Sequence, residues 1–175
     1  MEETTELKTP SLTKGGMHYG AILGLLLVGI SLLFYLLGIG ESSLQQYMYY
    51  GAIIGLIIFG VRKFRDAEDG FISYGRALAL GSCIGFFGSV IIAFFTYALL
   101  SFVDAGFITK FLEAAEKSLI ERKMSDQDIL VAMAFLKRIA TPIGFAVVTI
   151  FFYSITGFFF SLIIAIFMKR EGGTN

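Results

Sequence analysis

The chain has 175 residues, 56% hydrophobic and 16% charged, and its 14 basic and 14 acidic side chains cancel to zero net charge. A soluble domain carries about 25% charged residues, so lipid suits this composition better than water, and no global positive field argues for nucleic acid as a partner. One cysteine (Cys83) and one histidine (His18) exclude an internal disulfide and a four-ligand structural zinc site.

The first 14 residues, MEETTELKTPSLTK, are polar and of mixed charge, and are expected to form a mobile tail ahead of a membrane domain over 15–170. The apolar run that follows is too long for a cleaved signal and lacks a small-residue exit, so it reads as retained. Crossing the hydrocarbon takes about 20 apolar residues in a helix. Four segments meet that requirement, at about 17–39, 45–61, 73–103 and 142–168. The second is short, with Tyr47, Tyr49 and Tyr50 expected to anchor it at one interface. The fourth opens on Thr141-Pro142, a capping hydroxyl followed by proline at the first helical position. A short polar tail, 171–175, closes the chain.

Orientation follows from Lys and Arg, which are retained on the cytoplasmic side. With four spans, Lys8, Lys14, Arg62, Lys63, Arg65, Arg76, Lys169 and Arg170 all fall on one side. The other side has no basic residue in 40–44, and in 104–141 six basic residues are matched by six acids. Both termini are expected in the cytoplasm.

Lipid removes most of the hydrophobic drive between helices, so small residues that let backbones approach gain weight. Such seams appear as Gly20, Gly24 and Ser31 in the first span and Gly51-x-x-x-Gly55 in the second. Ala77, Gly81, Gly85 and Gly88 form one in the third, and Ser154, Gly157 and Ser161 in the fourth. Each is expected to pack within the bundle, with a partner protein as the alternative. Ser82, Ser89 and Thr96 form a polar stripe along the third span. It either lines a hydrated path or bonds to its own backbone carbonyls one turn back. GAILGLLLVGI (20–30) and GAIIGLIIFGV (51–61) are identical at six of eleven positions, which fits an inverted duplication or convergence within a four-letter alphabet.

The link at 105–140 patterns as an amphipathic helical hairpin. Phe107, Ile108, Phe111, Leu112, Ala115, Leu119 and Ile120 share one helical face, opposite Glu113, Lys117 and Glu121. After a turn at Met124 and Ser125, the second helix has Ser125 as its cap and Asp126 and Asp128 in its first turn. It closes on Lys137 and Arg138, matching the dipole at both ends. Its apolar stripe is Ile129, Met133, Leu136 and Ala140. The hairpin packs on its own bundle, lies on lipid or offers a groove to a partner.

Nothing in the pattern asks for catalysis. His18, the one available base, stands at the mouth of the first span. Paired mid-membrane aspartates, a metal-ligand cluster and a phosphate-binding loop are all missing from the sequence. No cofactor is implied, and an enzyme is not expected.

The charges gather instead in the corner between spans two and three, RKFRDAEDGFISYGR (62–76). Arg62 and Arg65 serve as topology determinants, and Gly70 supplies the turn. Ser73 caps the third span, Tyr74 sits at headgroup level, and Gly75 permits close helix approach. Arg76 either snorkels to the headgroups or contacts a phosphate. The stretch from Arg65 to Gly81, R-D-x-x-x-G-F-I-S-Y-G-x-A-x-x-x-G, resembles the bacterial membrane family called domain of unknown function 4199. So do the glycine-rich span, the M-S-D-Q-D-I link and the T-P opening of the last span, and together the likeness covers roughly 17–170. Arg76 departs from the neutral or acidic residue expected there. The resemblance implies a four-span protein of the bacterial inner membrane and transfers no activity.

The expected fold is therefore all-α: an integral membrane four-helix bundle with an extramembrane hairpin between spans three and four. The expected role is that of a non-enzymatic accessory or scaffold subunit. It would contact membrane lipid and either a membrane-protein partner or a second copy of itself. A small-solute or ion transporter and an anionic-lipid-binding or lipid-modifying protein are the alternatives.

Overall fold

The structure, a computed structural model, describes residues 11–39, 42–68, 70–104 and 106–170. It contains α1 (Leu12–Leu36), α2 (Ser43–Asp66), α3 (Tyr74–Ala98), α4 (Phe107–Glu121), α5 (Asp126–Ile139) and α6 (Pro142–Met168). A π-helical turn, Leu99–Val103, extends α3. The protein is all-α, and α1, α2, α3 with its extension, and α6 are each long and apolar enough to cross a membrane. At 1.5 Å per residue, 24 or more residues reach past a hydrocarbon core of about 30 Å. Their outward surfaces carry large bare apolar side chains, including Leu25, Leu36, Phe94, Phe158 and Phe167. Water tolerates no such coat on a folded protein; lipid does. This is a multi-pass membrane protein.

The chain divides into two compact units, one formed by the chain up to Ile91 together with that from Phe152 on, the other by Ile92–Phe151. In the first, glycines set the packing. A Cβ added at Gly20 would stand 2.6 Å from the Cβ of Phe87, and one at Gly24 2.5 Å from that of Ile91. Gly16, one turn earlier, is pressed against Cys83 in the same way. Steps of four on α1 thus match steps of four on α3, so the two helices run parallel in close contact. α3 and α6 run antiparallel: Gly85 meets Gly157, Gly81 meets Ser161, and the hydroxyls of Ser89 and Ser154 lie 3.0 Å apart. Around these seams Leu23, Leu27, Ile53, Ile57, Leu80 and Ile84 are fully buried.

One expectation for α2 is corrected. Gly51 and Gly55 are exposed and have open space where a Cβ would sit, so that pair packs on nothing among the described residues. The register of α2 turns Tyr49, Ile53, Ile57 and Gly60 inward instead. Tyr49 is accordingly buried, its ring edge-on to Tyr153 with centroids 5.6 Å apart and its hydroxyl accepting from the Gln45 side-chain amide at 3.0 Å.

In the second unit, α4 and α5 form the hairpin. Ser125 caps α5, its hydroxyl accepting from the Asp128 amide at 3.2 Å. Lys123 takes a positive φ of 55° in the connecting turn. Phe107 and Phe111 of α4 both stand edge-on to Phe145 in the first turns of α6, at 5.7 and 5.1 Å. Thr141 caps α6 by accepting from the Gly144 amide at 3.0 Å.

The expected N-terminal tail is shorter than the 14 residues assigned to it, because Leu12–Lys14 already belong to α1. Residues 1–10 and 171–175 lie outside the described residues.

Candidate functional site

The corner is built where α2 outlasts the apolar run. The helix continues through Arg62, Lys63 and Arg65 to Asp66, and cations in its last turn suit the dipole there. The amides of Ala67, Glu68 and Gly70 bond back to Lys63 and Arg65 carbonyls at 3.0–3.1 Å, closing the helix end. Gly70 sits at φ +83°, in the left-handed region that favours glycine. Phe71 is exposed and Ile72 is buried. Ser73 Oγ accepts from the Arg76 amide at 3.5 Å, a long cap on α3.

Arg76 is the corner's centre. Its guanidinium forms an ion pair with Glu68, whose side chain is only 10% exposed, and stands 5.8 Å from the Phe64 ring centroid. Buried Nε finds no acceptor among the described residues. Arg76 thus folds back onto the corner, where a carboxylate matches its charge. Sequence spacing did not select Glu68 as that partner, although its position eight residues earlier, across the turn, was the available signal. Arg65 approaches Asp66 at 3.8 Å, whereas Arg62 is exposed.

A second tie was not foreseen. Ile72 and Arg170 exchange two backbone hydrogen bonds, each of 3.0 Å, in an isolated antiparallel bridge. The end of α6 is thereby fastened to the loop before α3. Gly75, by contrast, is exposed with open space around it, so it mediates no close helix approach. Tyr74 is half-buried, and Asp69 lies outside the described residues.

The hydroxyls of the α3 stripe are spent on the backbone. Ser82 donates to the Leu78 carbonyl at 2.8 Å, Ser89 to that of Phe86 at 2.7 Å and Thr96 to that of Ile92 at 2.9 Å. Ser89 is fully buried. His18 is exposed, its ring edge-on to Tyr19. Among the described residues no cluster of histidine, cysteine or carboxylate side chains is placed to hold a metal ion.

A corner of this composition, followed by a glycine-lined α3 and a capped α6, coincides with a family model that matches residues 18–170, described as protein of unknown function (DUF4199). The chain belongs to the DUF4199 family. That match covers α1 from His18 on, the other three spans and the hairpin, so all of the geometry above, apart from the first turns of α1, falls inside the DUF4199 region. No curated protein and no solved structure matches the chain.

Proposed function

We propose that this DUF4199 protein is a non-enzymatic accessory or scaffold subunit of the bacterial inner membrane, with both termini in the cytoplasm and the hairpin on the opposite side. The observation that carries the reading is the contrast between an ordered extramembrane hairpin and an α3 stripe whose hydroxyls are already engaged. Along α4, Lys110, Glu113, Glu116 and Lys117 are all exposed on a helix of 15 residues. They form a charged, regular surface of the kind a partner reads by electrostatic complementarity. The stripe hydroxyls bond to their own backbone, and Arg76 is matched by Glu68. Both facts support this reading over a solute path and over a phosphate site at the corner.

The test keeps the full chain and reverses charges on α4, with Glu113→Lys, Glu116→Lys and Lys117→Glu together. Proteins co-purifying in mild detergent are then quantified by mass spectrometry. The expected result is loss of a specific partner at unchanged expression. An identical set of co-purifying proteins would overturn the reading.

A further inference from the structure

The two helices of the hairpin treat their outer faces differently. α4 exposes Lys110, Glu113, Glu116 and Lys117 along its length, with Ile120 bare near its end. α5 buries or half-buries its expected stripe of Ile129, Met133 and Leu136, yet it also exposes Leu130 (72%), Val131 (65%) and Phe135 (63%). We propose that this second apolar face of α5 lies in the headgroup zone of the bilayer that α6 enters, while α4 faces water.

Two observations choose lipid as the occupant. The first is continuity with the lipid-facing surface of a span. Ile139 at the end of α5 is exposed, and so are Ile143, Val147, Val148 and Phe151 on the first turns of α6. Only Ala140 and Thr141 separate the two helices, so exposed apolar residues follow one another along the chain from α5 into α6. The second is the placing of charge. Asp126 and Asp128 occupy the end of α5 far from the span, while Lys137 and Arg138 occupy the end that adjoins it. From Ile129 to Ile139 the only charged side chains are these two cations, which lipid phosphates attract. The proposal does not depend on the scaffold reading, which presents the α4 face to a partner and leaves the α5 face unassigned.

The test uses the unmodified full chain in vesicles of phosphatidylcholine and phosphatidylglycerol that contain a lipid with a photoreactive group just below its headgroup. After irradiation, adducts are expected on 130–135 at a yield comparable with that on 147–151 of α6, with none on 109–117. Adducts on 147–151 without any on 130–135 would overturn the proposal. A second measurement places an environment-sensitive dye at Leu130→Cys or Phe135→Cys in a Cys83→Ser chain. Its emission should be quenched by a lipid-borne nitroxide and not by aqueous iodide, at a depth of about 5–10 Å below the headgroups. Iodide quenching would mean a hydrated face. Disulfide cross-linking of residue 130 between copies, without lipid quenching, would mean a second copy covers it. Either result contradicts the proposal.

Discussion

Gly85 of α3 and Gly157 of α6 meet backbone to backbone. A Cβ added at Gly157 would stand 2.8 Å from the Gly85 Cα, and one added at Gly85 would stand 3.0 Å from the Gly157 Cα. No flexible side chain lies between them to give way. Gly157→Ala is therefore expected to lower stability by about 1–3 kcal/mol through overpacking, read from unfolding curves in detergent. Gly51→Ala and Gly55→Ala, which face open space, should shift the same curves by no more than about 0.5 kcal/mol. Equal losses at all three positions would contradict the packing described for α2 and α3.

Arg76 and Glu68 should behave as a pair. The arginine side chain is 39% exposed and the glutamate 10%, so solvent screens the interaction in part. A coupling of about 0.5–1 kcal/mol is expected from a double-mutant cycle of Glu68→Gln and Arg76→Gln. Strictly additive losses would show that the ion pair does not hold the corner.

The Ile72–Arg170 bridge makes a local claim that hydrogen exchange can read. The amides of Ile72 and Arg170 are each bonded across the bridge at 3.0 Å, and should exchange more slowly than that of Ser73. Arg170→Pro removes the N–H that donates to the Ile72 carbonyl and keeps the carbonyl that accepts from the Ile72 amide, so protection of the Ile72 amide should fall in part as the paired bridge is weakened. Unchanged exchange would count against the bridge.

Ser125 is the hinge of the hairpin. Its hydroxyl accepts from the Asp128 amide at 3.2 Å and donates to the Asp128 carboxylate at 2.6 Å. Loss of this cap in Ser125→Ala should cost about 0.5–2 kcal/mol, confined to α5. Faster exchange over residues 126–129, with the spans unaffected, is the expected signature.

The sequence made the helices legible because both of its strongest signals apply: long uncharged runs for the spans and 3.6-residue periodicity for the hairpin. It left their rotation obscure. On a membrane helix the lipid-facing and protein-facing sides are both apolar, so Gly51-x-x-x-Gly55 looks the same as the Gly20 and Gly24 seam. Gly16 lies two residues after Lys14 and outside the apolar run, so its place in the α1 seam has no hydrophobic signal. α2 runs on to Asp66 because helix propensity and the dipole outlast hydrophobicity. The Ile72–Arg170 bridge uses only backbone atoms and leaves no mark on the side-chain pattern. On α5, Val131 and Phe135 stand two residues from Met133 and so face away from the inner stripe, where apolar residues mixed with Arg138 make no periodic signal of their own.

Topology is the claim on which the rest depends, and impermeant thiol labelling of intact cells tests it most directly. In a Cys83→Ser chain, Glu116→Cys on α4 should react from outside, and Asp66→Cys at the corner should react only after the membrane is opened. Labelling of residue 66 from outside, or of both residues from the same side, would contradict a four-span chain with its arginine corner in the cytoplasm.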